Sequence, residues 1–289
     1  MIKVTTPATS ANLGPGFDCM GMAFCLYNTL QVEEIAQGVK IDNWGDQTIP
    51  QDESNLIYVT IKNFYERIGK KLPGLHFVQD DHIPMIRGLG SSAACIVSGL
   101  LAANALSGAE MTRDELLQIA AEIEGHPDNA VPAFLGGIAV GAMQNEKLYF
   151  AKLNVARLCE LKFCVMVPAF TLATERARQV LPEKYTRVDA IFNISRAALL
   201  TAALTNGDFD LMKAAFDDKI HQPYRGKLIP CMESIFKEAL SHGALGVFLS
   251  GAGPTLVAVT LSETRFSLPT GWTQVYLKPD MRGARVEFC

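Results

Sequence analysis

Pro84-Met85-Ile86-Arg87-Gly88-Leu89-Gly90-Ser91-Ser92-Ala93-Ala94 opens directly into Cys95 to Leu106, a run of small and apolar residues that reads as a helix. A helix N-terminus presents unpaired N–H groups and a partial positive charge, so it favours phosphate. Gly88 and Gly90 let the backbone approach an anion with no Cβ in the way. Ser91 and Ser92 add hydroxyls that can bond a phosphate oxygen or ligate Mg²⁺. A P-loop is excluded, because G-x-x-x-x-G-K-[ST] requires a Lys that this loop lacks. Gly88 to Ala93 does satisfy the G-x-G-x-x-A form of a dinucleotide fingerprint, although Pro84 to Arg87 makes a poor buried strand. A plain glycine turn that starts a helix is the third reading. The segment alone does not choose among them.

Composition narrows the field. The chain has 289 residues, 49% hydrophobic and 19% charged, enough apolar material for a large core and too much for disorder. A net charge of -4 and a pI near 5.8 argue against a nucleic-acid partner, which needs a basic face. The apolar run Ala93 to Leu106 is interrupted by Ser98, Gly99 and Asn104 and is too short to cross a bilayer, so no membrane association is expected. The opening MIKVTTPATS lacks the apolar stretch of a signal peptide. Seven cysteines with no C-x-x-C pair suit reduced thiols in a cytoplasm. The histidines show no H-E-x-x-H or other zinc spacing.

Short apolar runs alternate with amphipathic ones, which predicts an α+β protein. Strands are expected at Ile2–Thr6, Met22–Val32, Leu75–Val78, Ile138–Met143, Phe163–Val167, Gly246–Leu249 and Leu256–Leu261. Helices are expected over Asp52–Ile68, after a Thr112/Glu115 capping box up to Gly125, over Asp189–Thr205, and from Pro230 to near Gly243. A boundary near Lys152 to Glu160 divides the chain into 1–155 and 156–289, two lobes sharing a cleft. An exposed strand or helix face would allow a homodimer.

Two further stretches bear on the glycine-rich segment. Pro7-Ala-Thr-Ser-Ala-Asn12-Leu-Gly14-Pro15-Gly16-Phe-Asp18 reads as a polar loop after the first strand, with Asn12 and Asp18 flanking a turn that can aim both at one ligand. Leu249-Ser250-Gly251-Ala252-Gly253-Pro254-Thr255 reads as a tight hairpin whose glycines leave room for another glycine loop. Together the three resemble, in order and spacing over nearly the whole chain, the three motifs of the galactokinase, homoserine kinase, mevalonate kinase and phosphomevalonate kinase (GHMP) superfamily. EGHPDNAVPA at Glu124 to Ala133 and TERARQVLP at Thr174 to Pro182 place the likeness nearest the homoserine kinases.

That resemblance implies a two-lobed GHMP-kinase fold, with an N-terminal lobe like domain 2 of ribosomal protein S5 and a C-terminal ferredoxin-like α/β sandwich. It implies ATP on Pro84 to Ala94 and L-homoserine as the acceptor. Asn12, Asp18 and Asn129 resemble the positions that hold the amine and side chain. Arg178 and Arg225 resemble the pair that holds the carboxylate, with Arg176 a neighbouring rival for Arg178. Asn129, Thr174 and Arg178 are the expected catalytic set. Ser92 and Glu124 are the expected Mg²⁺ ligands, with Glu122 as rival for the second. Residue chemistry agrees, since an amino acid needs an acid for its ammonium and guanidinium forks for its carboxylate. One departure matters: related mevalonate and galactose kinases carry an Asp near Asn129, and an amide cannot accept a proton from the substrate hydroxyl. Transfer by alignment without a protein base is expected, with His126 the dissenting candidate.

Overall fold

The computed structural model describes residues 1–44 and 49–289. Seven strands form a large sheet: β1 (Ile2–Ala11), β2 (Met20–Ile35), β3 (Val39–Asn43), β4 (Gly74–Asp80), β5 (Ile138–Gln144), β6 (Lys147–Lys152) and, from the far end of the chain, β11 (Arg285–Phe288). The order is β11-β1-β2-β4-β3, with β5 pairing the start of β2 and β6 pairing β5. A second, antiparallel sheet of β7 (Lys162–Pro168), β8 (Gly246–Leu249), β9 (Leu256–Thr260) and β10 (Trp272–Leu277) runs β10-β7-β9-β8. Numbered within this sheet alone, that is the 4-1-3-2 order of a ferredoxin-like sandwich. The division of the chain at 155 separates the two sheets except for β11, which returns to pair with β1.

Helices α1 (Leu56–Arg67), α2 (Ser91–Ser107), α3 (Arg113–Glu124) and α4 (Pro127–Leu135) pack with the large sheet. Their core includes Ile61, Phe64, Val97, Leu100 and Phe134 against Val4, Leu30, Val32 and Phe77. The small sheet is covered on both faces, and its residues alternate accordingly. Phe163, Val165, Val257 and Val259 join Leu200, Leu204 and Met212 of α6 (Arg187–Asn206) and α7 (Phe209–Ala215). Cys164, Met166, Leu256 and Ala258 instead meet Met232 and Ile235 of α9 (Met232–Ser241). Two short helices, α5 (Thr174–Gln179) and α8 (Gln222–Arg225), carry the expected arginines.

The elements differ from expectation in instructive places. β1 does not stop at Thr6 but runs to Ala11, because a register shift between Pro7 and Ala8 absorbs the proline inside the strand. α1 begins at Leu56 rather than Asp52; Asn55 caps it by accepting from the Ile57 N–H, while Asp52 binds Ser54 in a preceding turn. The Thr112/Glu115 capping box forms, and Gly125 closes α3 in the left-handed region. The strands not foreseen, β3, β6, β10 and β11, are all sheet edges. Edge strands mix charged and apolar residues and so lose the apolar signature of a central strand. α6, at 20 residues, is long and apolar enough by composition to span a bilayer, contrary to the expectation that no stretch would be. It is docked on the protein, with Leu200 and Leu204 in the core and Asn193 Nδ2 donating to the Pro15 carbonyl at 2.8 Å.

β2 and α4 meet at Gly21, where a Cβ would lie 1.7 Å from the Asp128 carbonyl oxygen. Backbone cannot yield there as a flexible side chain would. Gly21→Ala is expected to destabilise the fold by about 2 kcal/mol or more, read as a lower midpoint in urea unfolding.

Candidate active site

The end of β1, the loop before α2 and the β8–β9 hairpin meet in space. Gly88, at φ 77°, leaves no room for a side chain; a Cβ would sit 2.3 Å from the Ser250 carbonyl oxygen. Ser250 Oγ donates to the Gly88 carbonyl at 2.5 Å and bonds Ser10 Oγ at 2.7 Å. On the other side, the Thr9 N–H donates to the Leu89 carbonyl at 3.1 Å. Gly90, at φ 70°, occupies the residue before α2, where a Cβ would lie 1.9 Å from Thr9 Oγ1. The loop is therefore clamped from both sides, with the α2 N-terminus facing a cleft of about 690 Å³.

Pro84, Met85, Ile86, Gly88, Leu89, Gly90, Ser91, Ser92 and Ala93 line that cleft. Arg87 and Ala94 do not. The Arg87 guanidinium turns away to donate to the carbonyls of Pro168 (3.1 Å) and Ala169 (2.8 Å), tying the loop to β7. Ala94 is buried in the core. The Arg87 side chain thus fastens the loop, and the Ala94 side chain packs inward, so neither side chain lines the cleft.

Ser92 Oγ donates to Glu124 Oε1 at 2.9 Å. Glu122, the rival, faces elsewhere and pairs with Arg67 at 2.8 Å. Burial pushes the Glu124 carboxyl pKa up, against the opposing pull of His126 and the Ser92 hydrogen bond. Among the described residues no Lys or Arg pairs with it. A half-hidden carboxylate beside a serine hydroxyl at a helix N-terminus is a donor set that fits Mg²⁺, which takes few protein oxygens and completes its shell with phosphate and water.

The other end of the cleft is charged. Arg178, on α5, grips Asp18 with both fork nitrogens, at 3.0 and 3.2 Å. Arg225 is buried and donates to the carbonyls of Ala177 (3.2 Å) and Gly251 (3.0 Å). Among the described residues no carboxylate pairs with it, and burial, then the charge of Arg178, lowers its pKa. Phe17 lies under both guanidiniums, with ring centroid distances of 5.1 Å to Arg225 and 6.0 Å to Arg178. Thr174 lines the same end from the first turn of α5, whereas Arg176 does not line the cleft.

Asn12 and Asn129 are less free than expected. Asn12 Nδ2 donates to the Gly251 carbonyl at 2.9 Å, and its Oδ1 accepts the Asp18 N–H at 2.9 Å, so the amide shapes the turn that presents Asp18. Asn129 Oδ1 accepts from the Thr9 hydroxyl at 2.8 Å. His126 Nδ1 lies 2.5 Å from Asp128 Oδ1. Burial alone would lower the His126 pKa, but the Asp128 carboxylate, with Asp18 and Glu124, pushes it up.

Comparisons with known proteins agree with this geometry. A model of the N-terminal domain of GHMP kinases matches residues 55–137, and one of the C-terminal domain matches residues 200–267. A homoserine kinase of Clostridium botulinum is 46% identical, over 100% of this chain and 99% of its own. The chain belongs to the GHMP kinase family. A homoserine kinase of Caldicellulosiruptor saccharolyticus is 43% identical over 99% of this chain and 96% of its own. The crystal structure of homoserine kinase from Cytophaga hutchinsonii superposes with a TM-score of 0.85 at 28% identity, covering 99% of this chain and 97% of that one. Mevalonate kinase of L. major shares the fold at a TM-score of 0.67 and 19% identity, over 90% of this chain and 87% of its own.

Thr9, Phe17, Asp128 and His221 went unassigned in the sequence. His221 is fully buried, with Nε2 2.8 Å from the Gly14 carbonyl and its ring stacked on Phe17. Phe17 and Thr9, inside the Pro7–Asp18 motif, and Asp128, inside Glu124 to Ala133, carried a signal by position alone. The upper end of the cleft, with Ile49, Pro50, Asn55 and Gln79, gave none.

Glu124 makes a testable demand on the metal-free protein. A carboxyl whose folded pKa exceeds its ordinary value near 4.5 binds its proton more tightly folded than unfolded. Its contribution to stability is present at low pH and is lost as pH rises through the folded pKa. Glu124→Gln keeps the Ser92 contact and removes that loss. Without metal, its Tm should exceed the wild-type value at pH 7 and converge with it towards pH 4, by differential scanning calorimetry.

Proposed function

We propose that the cleft transfers the γ-phosphate of ATP to the side-chain hydroxyl of L-homoserine, giving O-phospho-L-homoserine and ADP, a step towards threonine. One observation carries the reading. A lysine-free phosphate cradle and a recognition set for both charges of an amino acid, Asp18 with Arg178 and Arg225, line one cleft. The extended likeness to homoserine kinases supports the same acceptor.

The roles follow from charge and position. Backbone N–H groups from Gly88 to Ser91 and the N-terminus of α2 receive the phosphates. Ser92 and Glu124 hold Mg²⁺, which when bound neutralises phosphate charge. Arg225, buried and without a carboxylate partner among the described residues, receives the substrate carboxylate together with Arg178, and Asp18 receives the ammonium. Thr174 borders this subsite from α5. Asn129, held by Thr9, orients the hydroxyl for in-line attack. A phosphoryl transition state that is loose in character needs alignment and charge neutralisation more than a base. Seven free thiols suit the reducing cytoplasm where this chemistry belongs.

An ADP-release assay with L-homoserine, L-serine, mevalonate and galactose tests the proposal. ADP should form with homoserine and at background rates with the others. ATP binding with silence on all four would overturn it. His126→Gln should leave turnover within about tenfold of wild type. A loss beyond about a thousandfold at unchanged homoserine KM would require a protein base after all.

A further inference from the structure

The Asp18–Arg178 pair has a meaning beyond its two residues. Each is assigned to one charge of the substrate, yet here each occupies the other, fork against carboxylate, at 3.0 and 3.2 Å. The geometry points to a partner exchange: the ligand's ammonium and carboxylate displace this internal ion pair together, and a ligand bearing only one charge is rejected because the exchange stays half complete. The inference rests on the homoserine reading.

Three observations support it. The pair is accessible, with side chains 34% and 40% exposed, so opening it costs little when both partners are replaced. Opening it for one partner alone is different. A carboxylate that draws Arg178 away leaves Asp18 beside Asp128, in a cluster whose ligand atoms lie within 4.8 Å and whose other member, His126, is already committed to Asp128. An amine that draws Asp18 away leaves Arg178 facing Arg225, whose pKa its charge already depresses. Either half-ligand thus leaves one member of the pair facing a like charge with its counter-ion gone, and a zwitterion leaves neither so. The two partners also come from separate elements, the turn after β1 and helix α5, so the exchange couples ligand charge to the spacing of the two lobes.

The test uses homoserine and its two truncations, 4-hydroxybutanoate (no amine) and 3-aminopropan-1-ol (no carboxylate). Asp18→Asn should lose about a hundredfold in kcat/KM for homoserine while gaining about tenfold or more for 4-hydroxybutanoate, because Arg178 is released with no stranded acid. Arg178→Met should show the mirror result with 3-aminopropan-1-ol. In the wild type, ethylammonium should lower the Kd of 4-hydroxybutanoate at least about threefold by completing the exchange. Variants that lose activity on the truncated ligand as well as on homoserine, or no cooperativity with ethylammonium, overturn the inference. A wild-type enzyme that fails to phosphorylate homoserine would instead count against the functional reading beneath it.

Discussion

The site depends on one steric constraint, the approach of Gly88 to the carbonyl of Ser250 at a distance that admits no Cβ. The loop before α2 belongs to the first lobe and the β8–β9 hairpin to the second, and neither is a binding site by itself. Pressed together, with Ser250 Oγ bonded to both Gly88 and Ser10, they fix where α2 points its N-terminus. Arg87 adds a second fastener to the end of β7. The phosphate cradle is therefore a product of tertiary packing. Its glycines serve the neighbouring backbone at least as much as any ligand.

The same packing sorts charge along the cleft. The end at the α2 N-terminus contributes oriented N–H groups, and its described lining residues include Glu124 and no lysine. That arrangement suits an anion that arrives with its own cation, since Glu124 alone would repel phosphate and burial already discourages its charge. The amino-acid end holds two guanidiniums and the Asp18 carboxylate within reach of each other. Phe17 beneath both arginines limits their motion without offering them a proton acceptor. The fixed guanidiniums thus gather at one end of the cleft, and the other end offers backbone N–H groups and the Glu124 carboxyl.

Much of this was legible in the sequence, for reasons specific to each residue. The three glycine-rich stretches could be read because tight backbone approach leaves few permitted residue types. Asp18, Arg178 and Arg225 could be named only through the resemblance, and the structure brings all three to one cleft. Glu124 could not be separated from Glu122, as two residues on one helix differ only in the face they present, and that required the Ser92 and Arg67 contacts. The fastening role of Arg87 could not be read from the sequence. Its actual partners, Pro168 and Ala169, lie more than eighty positions away on another lobe. The edge strands and the cleft wall at Ile49 and Gln79 depend on pairings that no local pattern encodes.

The carboxamide at Asn129 links these points to mechanism. Its oxygen is taken by the Thr9 hydroxyl, on the strand whose N–H at the same residue steadies Leu89 in the phosphate loop. Thr9 therefore ties the loop before α2 and the Asn129 carboxamide to one strand. The oxygen accepts from Thr9 and the amide nitrogen faces Asp128 Oδ1 at 3.5 Å; a carboxamide so held cannot remove a proton from a hydroxyl. An aspartate at this position would place another carboxylate beside Asp128 and within the influence of Asp18 and Glu124. The site already holds its acids close enough to raise the pKa of His126. A neutral carboxamide is thus the group that adds no further charge to these acids.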